Sequence, residues 1–184
     1  MYCNATSKKM GLDTAYTFNS ISSLNAANLQ CNLNVKAVRL PTEDEWEMAA
    51  RAGKKLLYAT DDGTLSCTKV NYGDCALNKP AIVGSYAANP YGIKDMTGNV
   101  GEWCWDIYNS PRLAMQGQYT VNGRVDYAYS TNVGFGIQTR VYRGGDFQET
   151  NSGRLQTGSR RGYGPTTYNG RLGFRCVIPL KQPH

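Results

Sequence analysis

The stretch Arg39-Leu-Pro-Thr-Glu-Asp-Glu-Trp-Glu-Met-Ala-Ala-Arg-Ala-Gly53 constrains the fold more than any other part of the chain. Thr42 is followed three residues later by Glu45, the spacing at which each side chain satisfies an orphan backbone donor at a helix start. Trp46, Ala49 and Ala50 then share one face, and Gly53 supplies an exit, so a helix is predicted whose single apolar face needs a partner layer. The rest of the sequence is punctuated differently. Tyr2–Met10 has helical composition with Gly11 as its stop, and Thr14–Asn34 reads as strands and turns. Leu56–Pro90 is broken by Asp61-Asp62-Gly63, Tyr72-Gly73-Asp74 and Asn78-Lys79-Pro80, a pattern of loops with isolated strands. Val141-Tyr-Arg-Gly-Gly145 follows, and Leu172–Ile178 reads as a core strand. The expectation is an α+β fold, loop-rich, with short strands and few helices.

Apolar residues make up 41% of the 184-residue chain, enough for one core, and a single domain over residues 1–184 is expected. No apolar run reaches the roughly 20 residues of a membrane helix, so no membrane insertion is expected. Met1-Tyr-Cys-Asn has neither the basic nor the apolar region of a signal peptide; nothing in the sequence assigns a compartment. The net charge of +6 is unevenly placed: residues 1–138 carry 12 basic and 12 acidic side chains, so the surplus lies entirely in the last quarter. Arg140, Arg143, Arg154, Arg160, Arg161, Arg171, Arg175 and Lys181 face only Asp146 and Glu149 there. Such a stripe suits nucleic acid, a sulfated sugar or an acidic protein face; the alternative is that its arginines are internal clamps on irregular loops. The six cysteines form no CxxC pair and His184 is the only histidine, which argues against zinc. Cys67 and Cys75 could close a short loop, but at this length buried free thiols are the default expectation.

Four motifs in order, Arg39-Leu-Pro-Thr-Glu-Asp-Glu-Trp-Glu, Tyr91-Gly-Ile-Lys-Asp-Met-Thr-Gly-Asn-Val-Gly-Glu-Trp103, Arg143-Gly-Gly145 and Leu172-Gly-Phe-Arg175, resemble the formylglycine-generating-enzyme (sulfatase-modifying factor) family. The similarity extends to Tyr2–Tyr16, which looks like the family's early helix and turn, and so covers nearly the whole chain. The family's strands ahead of that helix are missing here; either the chain itself or another subunit would cap the resulting sheet edge. The resemblance implies a C-type-lectin-like α+β fold. The family's members include oxidases, sulfoxide synthases and non-catalytic binders, so the site must decide among them.

Formylglycine-generating enzymes work through two copper-binding cysteines, six and eleven residues after the arginine of the Arg-Gly-Gly motif. Those positions are Glu149 and Arg154 here, and neither can act as a soft thiolate ligand. Sulfoxide synthases need a histidine-bound iron that one terminal histidine cannot build. The chain is therefore expected not to be an enzyme, with neither copper nor iron. Glu43, Asp44, Glu45 and Glu47 crowd one helix start, where capping and the helix dipole account for acidic residues without any hydrolytic role. No nucleophile elbow, P-loop or dinucleotide fingerprint is present. One family ion site does carry over by resemblance, a structural calcium held by the pattern Asp95-x-x-Gly98-x-Val100-x-Glu102, whose carboxylate and carbonyl oxygens suit a hard cation. A second family calcium loop, between Asn71 and Pro80, is too short and lacks its acidic residue.

Within the same fold, the variable proteins of diversity-generating retroelements use the segment between the Arg-Gly-Gly and Gly-Phe-Arg motifs as a binding surface rewritten by adenine-directed mutagenesis, a source of massive sequence variation. This chain resembles that branch most. Between Asn151 and Gly170 the segment is dominated by Asn, Ser, Gly, Thr and Tyr, as antibody loops are, because Tyr gives broad contact area with few rotors while Ser, Asn and Gly adapt. The plainer alternative is a long polar surface loop. The expected role is non-catalytic binding of a protein or other macromolecular ligand through residues 141–176. Asp146, Phe147, Glu149, Asn151, Arg160, Tyr163, Thr166, Tyr168 and Arg171 are expected to point outward, and Arg143, Arg154, Phe174 and Arg175 to serve the scaffold. The insert Asn109–Gln138, with Tyr119, Tyr127 and Tyr129, is placed beside the same surface. The competing role is nucleic-acid binding, or an oxidase relative that has lost its cysteines. Oligomeric state is not readable from sequence.

Overall fold

A computed structural model describes residues 2–18, 20–22, 25–27, 29–108, 118–121, 124–127, 139–164 and 166–179. The chain divides into two compact units, one comprising Met1–Pro41, Asn109–Ile137 and Arg175–His184, the other Thr42–Tyr108 and Gln138–Phe174.

In the first unit helix α1 spans Tyr2–Lys9, with Lys8 and Lys9 in the last turn, where the helix dipole favours positive charge. Gly11 then turns the chain with φ +67°, the stop that its lack of a Cβ permits. Two buried side chains tie α1 down: Ser7 Oγ accepts from Val38 N at 2.7 Å, and Cys3 meets Cys176. Asn4 brackets Tyr16, donating to its carbonyl at 2.7 Å and accepting from its amide at 3.1 Å. Four short strands follow, β1 (Tyr16–Thr17), β2 (Ser20–Ser22), β3 (Asn25–Ala27) and β4 (Gln30–Cys31). They pair antiparallel as β1 with β4 and β2 with β3. Arg39 and Val177 close an antiparallel bridge through hydrogen bonds of 3.0 and 2.8 Å.

The second unit begins with helix α2, Glu43–Arg51, where the capping box predicted from sequence is formed in full: Thr42 Oγ1 accepts from Glu45 N at 3.2 Å while Glu45 accepts from Thr42 N at 2.9 Å. The helix ends on Ala52 in the left-handed region, followed by Gly53 at φ +70°. Trp46 and Ala50 point inward and, with Ala59, Met96, Cys104 and Val141, make the core, against which Ala49, Ile93 and Tyr108 pack. The core rests on a four-stranded sheet. Its strands are β5 (Gly101–Ile107), β8 (Arg140–Arg143), β9 (Arg161–Tyr163) and β10 (Leu172–Gly173), in the order β10-β5-β8-β9. Strands β6 (Gln118–Val121) and β7 (Arg124–Tyr127) form an antiparallel hairpin that belongs to the first unit.

Three sequence expectations need correction. Leu56–Pro90 contains no strand among the described residues, only a 3-10 turn at Gly73–Cys75. Cys67 and Cys75 are joined in a disulfide rather than held as free thiols. The expected core strand Leu172–Ile178 is a two-residue, half-buried strand plus the Val177 bridge, because Leu172 and Gly173 pair with β5 whereas Val177 pairs with Arg39. The α+β, loop-rich class with few helices is what the structure shows.

Candidate functional site

Alternation along β5 and β8 sorts side chains to two faces of the sheet. Toward α2 point Glu102, which accepts from Trp46 Nε1 at 2.6 Å, the buried Cys104, and Asp106, which accepts from Glu43 N at 2.6 Å. Arg143 lies on that side too, 1% exposed, paired with Glu47 and donating to Ser159 O at 2.7 Å. Cys104 packs in the core, and burial pushes its thiol well above its usual range, which disfavours the thiolate.

The opposite face is an aromatic and cationic ladder. Tyr142 stacks on Tyr163 with ring centroids 5.0 Å apart and meets Trp103 edge-on at 6.3 Å. Arg161 lies 5.7 Å from the Tyr142 ring, and Arg140 4.3 Å from the Trp105 ring. Burial raises the Tyr142 hydroxyl to about 12, so it remains a hydrogen-bond donor at neutral pH. Register explains why these groups meet: Trp103 faces Tyr142, Tyr142 faces Arg161 and Arg140 faces Tyr163 across the strands, and directly opposed residues share a face. Trp103, Trp105 and Tyr142 were not singled out as site residues from sequence, and Arg140 and Arg161 only as members of the basic stripe. The available signal was the i, i+2 spacing of Trp103 and Trp105 and of Arg161 and Tyr163, with an apolar or small residue between.

The segment from Asp146 to Arg171 is pinned at several points. Leu155 (0% exposed) and Thr157 (1%) are buried, and Thr157 Oγ1 donates to Leu56 O at 2.8 Å. Asp146, Phe147 and Glu149 were expected to face outward and are instead buried. Asp146 Oδ1 accepts from Gln148 N at 2.9 Å and lies 3.7 Å from Arg171; Glu149 accepts from Asn151 N at 3.0 Å and from Arg161 at 2.7 Å, with Arg154 at 3.7 Å. These carboxylates orient the loop and neutralise its arginines. Phe147 fills the turn that its amide ties to Asn99 O at 2.9 Å. Arg160 is diverted from the ladder: it grips Glu43 through Nε and Nη2 at 2.8 and 3.0 Å and covers the Tyr108 ring at 5.1 Å. Of the remaining expected contact residues, Tyr163 and Arg171 are half-buried and Asn151 and Thr166 exposed, with Asn151 capping the 3-10 turn Ser152–Leu155. Tyr168 is 99% exposed. Arg143 is scaffold as expected, but Phe174 is 49% exposed and the Arg154 side chain 51%, so neither is a buried scaffold residue. Arg175 is half-buried and belongs to the first unit. The expected flanking role of Tyr119, Tyr127 and Tyr129 lies outside the described side chains.

At the turn before β5, Asp95 (φ +57°), Gly98 (φ +70°) and Asn99 (φ +62°) bend the chain sharply. Gly98 is obligatory there, since a Cβ would stand 2.3 Å from Asn71 O. Asp95 Oδ2 accepts from Gly84 N, and Glu102 is buried. Between Asn71 and Pro80, Asn71 Nδ2 donates to Lys79 O at 2.9 Å and ties the two ends of the loop together. Glu149 and Arg154, which the sequence reading sets at the thiol positions, form an ion pair at 3.7 Å. Three of the four carboxylates at the start of α2 have structural tasks: Glu43 binds Arg160, Glu45 caps and Glu47 binds Arg51 and Arg143, while Asp44 is exposed.

Comparison with known proteins agrees with this architecture. Residues 1–180 match the sulfatase-modifying factor enzyme 1-like domain. The formylglycine-generating enzyme of Streptomyces coelicolor is 33% identical over 154 residues, 76% of this chain and 46% of that protein. The inactive C-alpha-formylglycine-generating enzyme 2 of Bos taurus is 28% identical over 176 residues, 88% of this chain and 50% of that protein. Among solved structures, Treponema denticola variable protein 1 superposes with a TM-score of 0.75 at 25% identity, covering 96% of this chain and 66% of that one. The chain spans from 20% to 50% of the length of curated relatives it matches. No helix among the described residues is long and apolar enough to cross a membrane. With a family match over nearly its whole length and the family's fold beneath it, this chain belongs to the sulfatase-modifying factor, or formylglycine-generating enzyme, family.

Proposed function

We propose that this chain is a non-catalytic member of the family that binds a protein ligand through exposed residues of the Asp146–Phe174 segment and through Trp103, Arg161 and Tyr163, which the buried Tyr142 supports from below. The observation that carries the reading is the combination of an exposed tip with buried anchors. Tyr168 stands 99% exposed while Leu155 and Thr157 in the same segment are fully buried. A loop fixed from below can change its outward side chains without losing its shape, as a paratope does. The Glu149–Arg154 pair at the thiol positions supports a non-catalytic role, since neither group holds copper. Likeness to a variable protein and to an inactive relative supports it as well.

Diversification by a retroelement is part of the proposal. Sequencing the gene across many cells should show substitutions concentrated at codons for exposed positions such as Asn151, Thr166 and Tyr168, with Leu155 and Thr157 constant. A near-copy of the 3′ end differing at adenines, beside a reverse-transcriptase frame, should lie nearby. Uniform variation along the gene would rule diversification out. For the non-catalytic reading itself, the protein supplied with Cu(I) should not consume oxygen with a thiol peptide; such consumption would make it an oxidase.

We further propose a structural calcium ion on Asp95, Gly98, Val100 and Glu102. Two carboxylates and two carbonyl oxygens within eight residues would supply the hard donors that calcium takes; Asp95 Oδ2 accepts from Gly84 N and Glu102 Oε2 from Trp46 Nε1, so the ion would take the second oxygen of each carboxylate. Calcium should raise the melting temperature of the wild type and leave Asp95→Asn unchanged. An equal response from both proteins would remove the ion from this turn.

A further inference from the structure

Three guanidiniums, those of Arg154, Arg161 and Arg171, gather on two buried carboxylates, Asp146 and Glu149. The carboxylates belong to one turn, closed by Glu149 N donating to Asp146 O at 3.0 Å. Three positive charges against two negative leave the cluster with a surplus of one. The three pairs are also unequal. Arg161 hydrogen-bonds Glu149 at 2.7 Å, whereas Arg154 and Arg171 stand 3.7 Å from their carboxylates, beyond hydrogen-bonding range. A guanidinium carries five N–H donors in a planar fork, and among the described residues those of Arg154 and Arg171 meet no acceptor.

The backbone fixes where these forks stand. Arg154 lies in the 3-10 turn Ser152–Leu155, which Asn151 caps and the buried Leu155 anchors. Arg171 leads into β10, its amide donating to Asn169 Oδ1 at 3.0 Å and its carbonyl accepting from Gly101 N at 2.8 Å. Arg161 belongs to β9 and lies over the Tyr142 ring. All three can be reached from solvent, since 51%, 38% and 32% of the side-chain surface is exposed at Arg154, Arg171 and Arg161.

We infer that the protein ligand presents a carboxylate, from an acidic side chain on its surface, to Arg154, Arg161 and Arg171. The inference rests on the protein-binding reading and names what such a ligand must carry. One incoming carboxylate brings the charge of the cluster to zero, and its two oxygens accept from forks that the internal carboxylates leave unspent. Asp146 and Glu149 hold the guanidiniums from behind, so little side-chain freedom is lost when the ligand arrives. A polyanion is matched poorly, because every charge after the first meets no further surplus in the cluster. Next to Arg161 the Tyr163 ring is stacked on Tyr142 at 5.0 Å, a platform for an apolar or aromatic neighbour of the acidic residue.

The test titrates the isotope-labelled full chain with the blocked peptide Gly-Tyr-Glu-Gly and with its counterpart carrying Gln in place of Glu, following the arginine Nε–H signals by NMR. The expected result is a saturable shift at Arg154, Arg161 and Arg171, with the Gln peptide bound about tenfold more weakly. Arg154→Gln should weaken the Glu peptide by about threefold at an unchanged melting temperature. Equal dissociation constants for the two peptides, or shifts at other arginines and none at these three, overturn the inference. So does tighter binding of inorganic phosphate than of the Glu peptide, which would make a phosphoryl group the contact. Either failure leaves the protein-binding reading standing, because an uncharged surface can still dock on Tyr163 and Tyr168. Oxygen consumption with a thiol peptide would remove the non-catalytic reading and leave the peptide result untouched.

Discussion

At the residue scale, the informative side chains are those whose charge is spent inside the molecule. Glu47 sits between Arg51, at 2.7 Å, and the buried Arg143. Burial pulls its carboxyl upward, but hydrogen bonds from the two guanidiniums outweigh that and hold it below its ordinary 4.5. A carboxyl held lower in the folded state contributes stability that is complete above about its unfolded value and disappears as pH falls through the folded one. The melting temperature of the wild type should therefore fall on acidification below 4.5 more steeply than that of Glu47→Gln. Identical slopes would show that the pair contributes nothing to acid sensitivity. Tyr168 and Leu155 make the complementary contrast, one 99% and the other 0% exposed. Tyr168→Ala should leave stability within about 0.5 kcal/mol of wild type, while Leu155→Ala should cost about 2–5 kcal/mol by opening a cavity; chemical denaturation reads both. Sequence gave no way to separate Asp146 and Glu149 from Asn151, because a carboxylate beside arginines reads equally as ligand contact or as clamp until the partners are seen.

At the element scale, legibility followed how local the stabilising interaction is. The start of α2 was readable to the residue because Thr42 and Glu45 satisfy each other within one turn. The helix at Tyr2–Lys9 was readable for a similar reason, through Gly11 at its exit. The two-residue β10 was misjudged because its length depends on where β5 ends and on the competing pairing of Val177 with Arg39, both of which are distant in sequence. The outer face of β5, β8 and β9 was missed for the same reason: Trp103, Tyr142 and Tyr163 come together only through strand register. Thr42→Ala tests the local part. It removes the acceptor for Glu45 N at a cap that is 6% exposed, and should cost about 1–2 kcal/mol. Thr42→Ser should recover most of that loss in the same denaturation experiment, since the hydroxyl returns; failure of Ser to rescue would mean that the methyl packing, and not the cap, is what matters.

At the scale of the whole molecule, the question is what a net charge of +6 concentrated in the last quarter of the chain is worth to a partner. The structure answers through pairing. Arg143 is committed to Glu47, Arg160 to Glu43, Arg171 to Asp146, and Arg154 and Arg161 to Glu149. A polyanion would have to compete with carboxylates already in place, three of them buried within the segment or at the start of α2. Much of the surplus that looks like a nucleic-acid footprint in the sequence is therefore engaged in ion pairs, and exposed chemistry in the segment includes Tyr168, Thr166, Asn151, Phe174 and the half-exposed Arg154. Counterion release makes this measurable, since log K for duplex DNA falls with log salt at a slope of about −0.9 per phosphate neutralised. If the paired arginines stay paired, binding to a short duplex should be weak and its slope no steeper than about −2. A slope of about −5 or steeper would mean that the arginines leave their carboxylates for phosphate, and would restore nucleic acid as the ligand of this face.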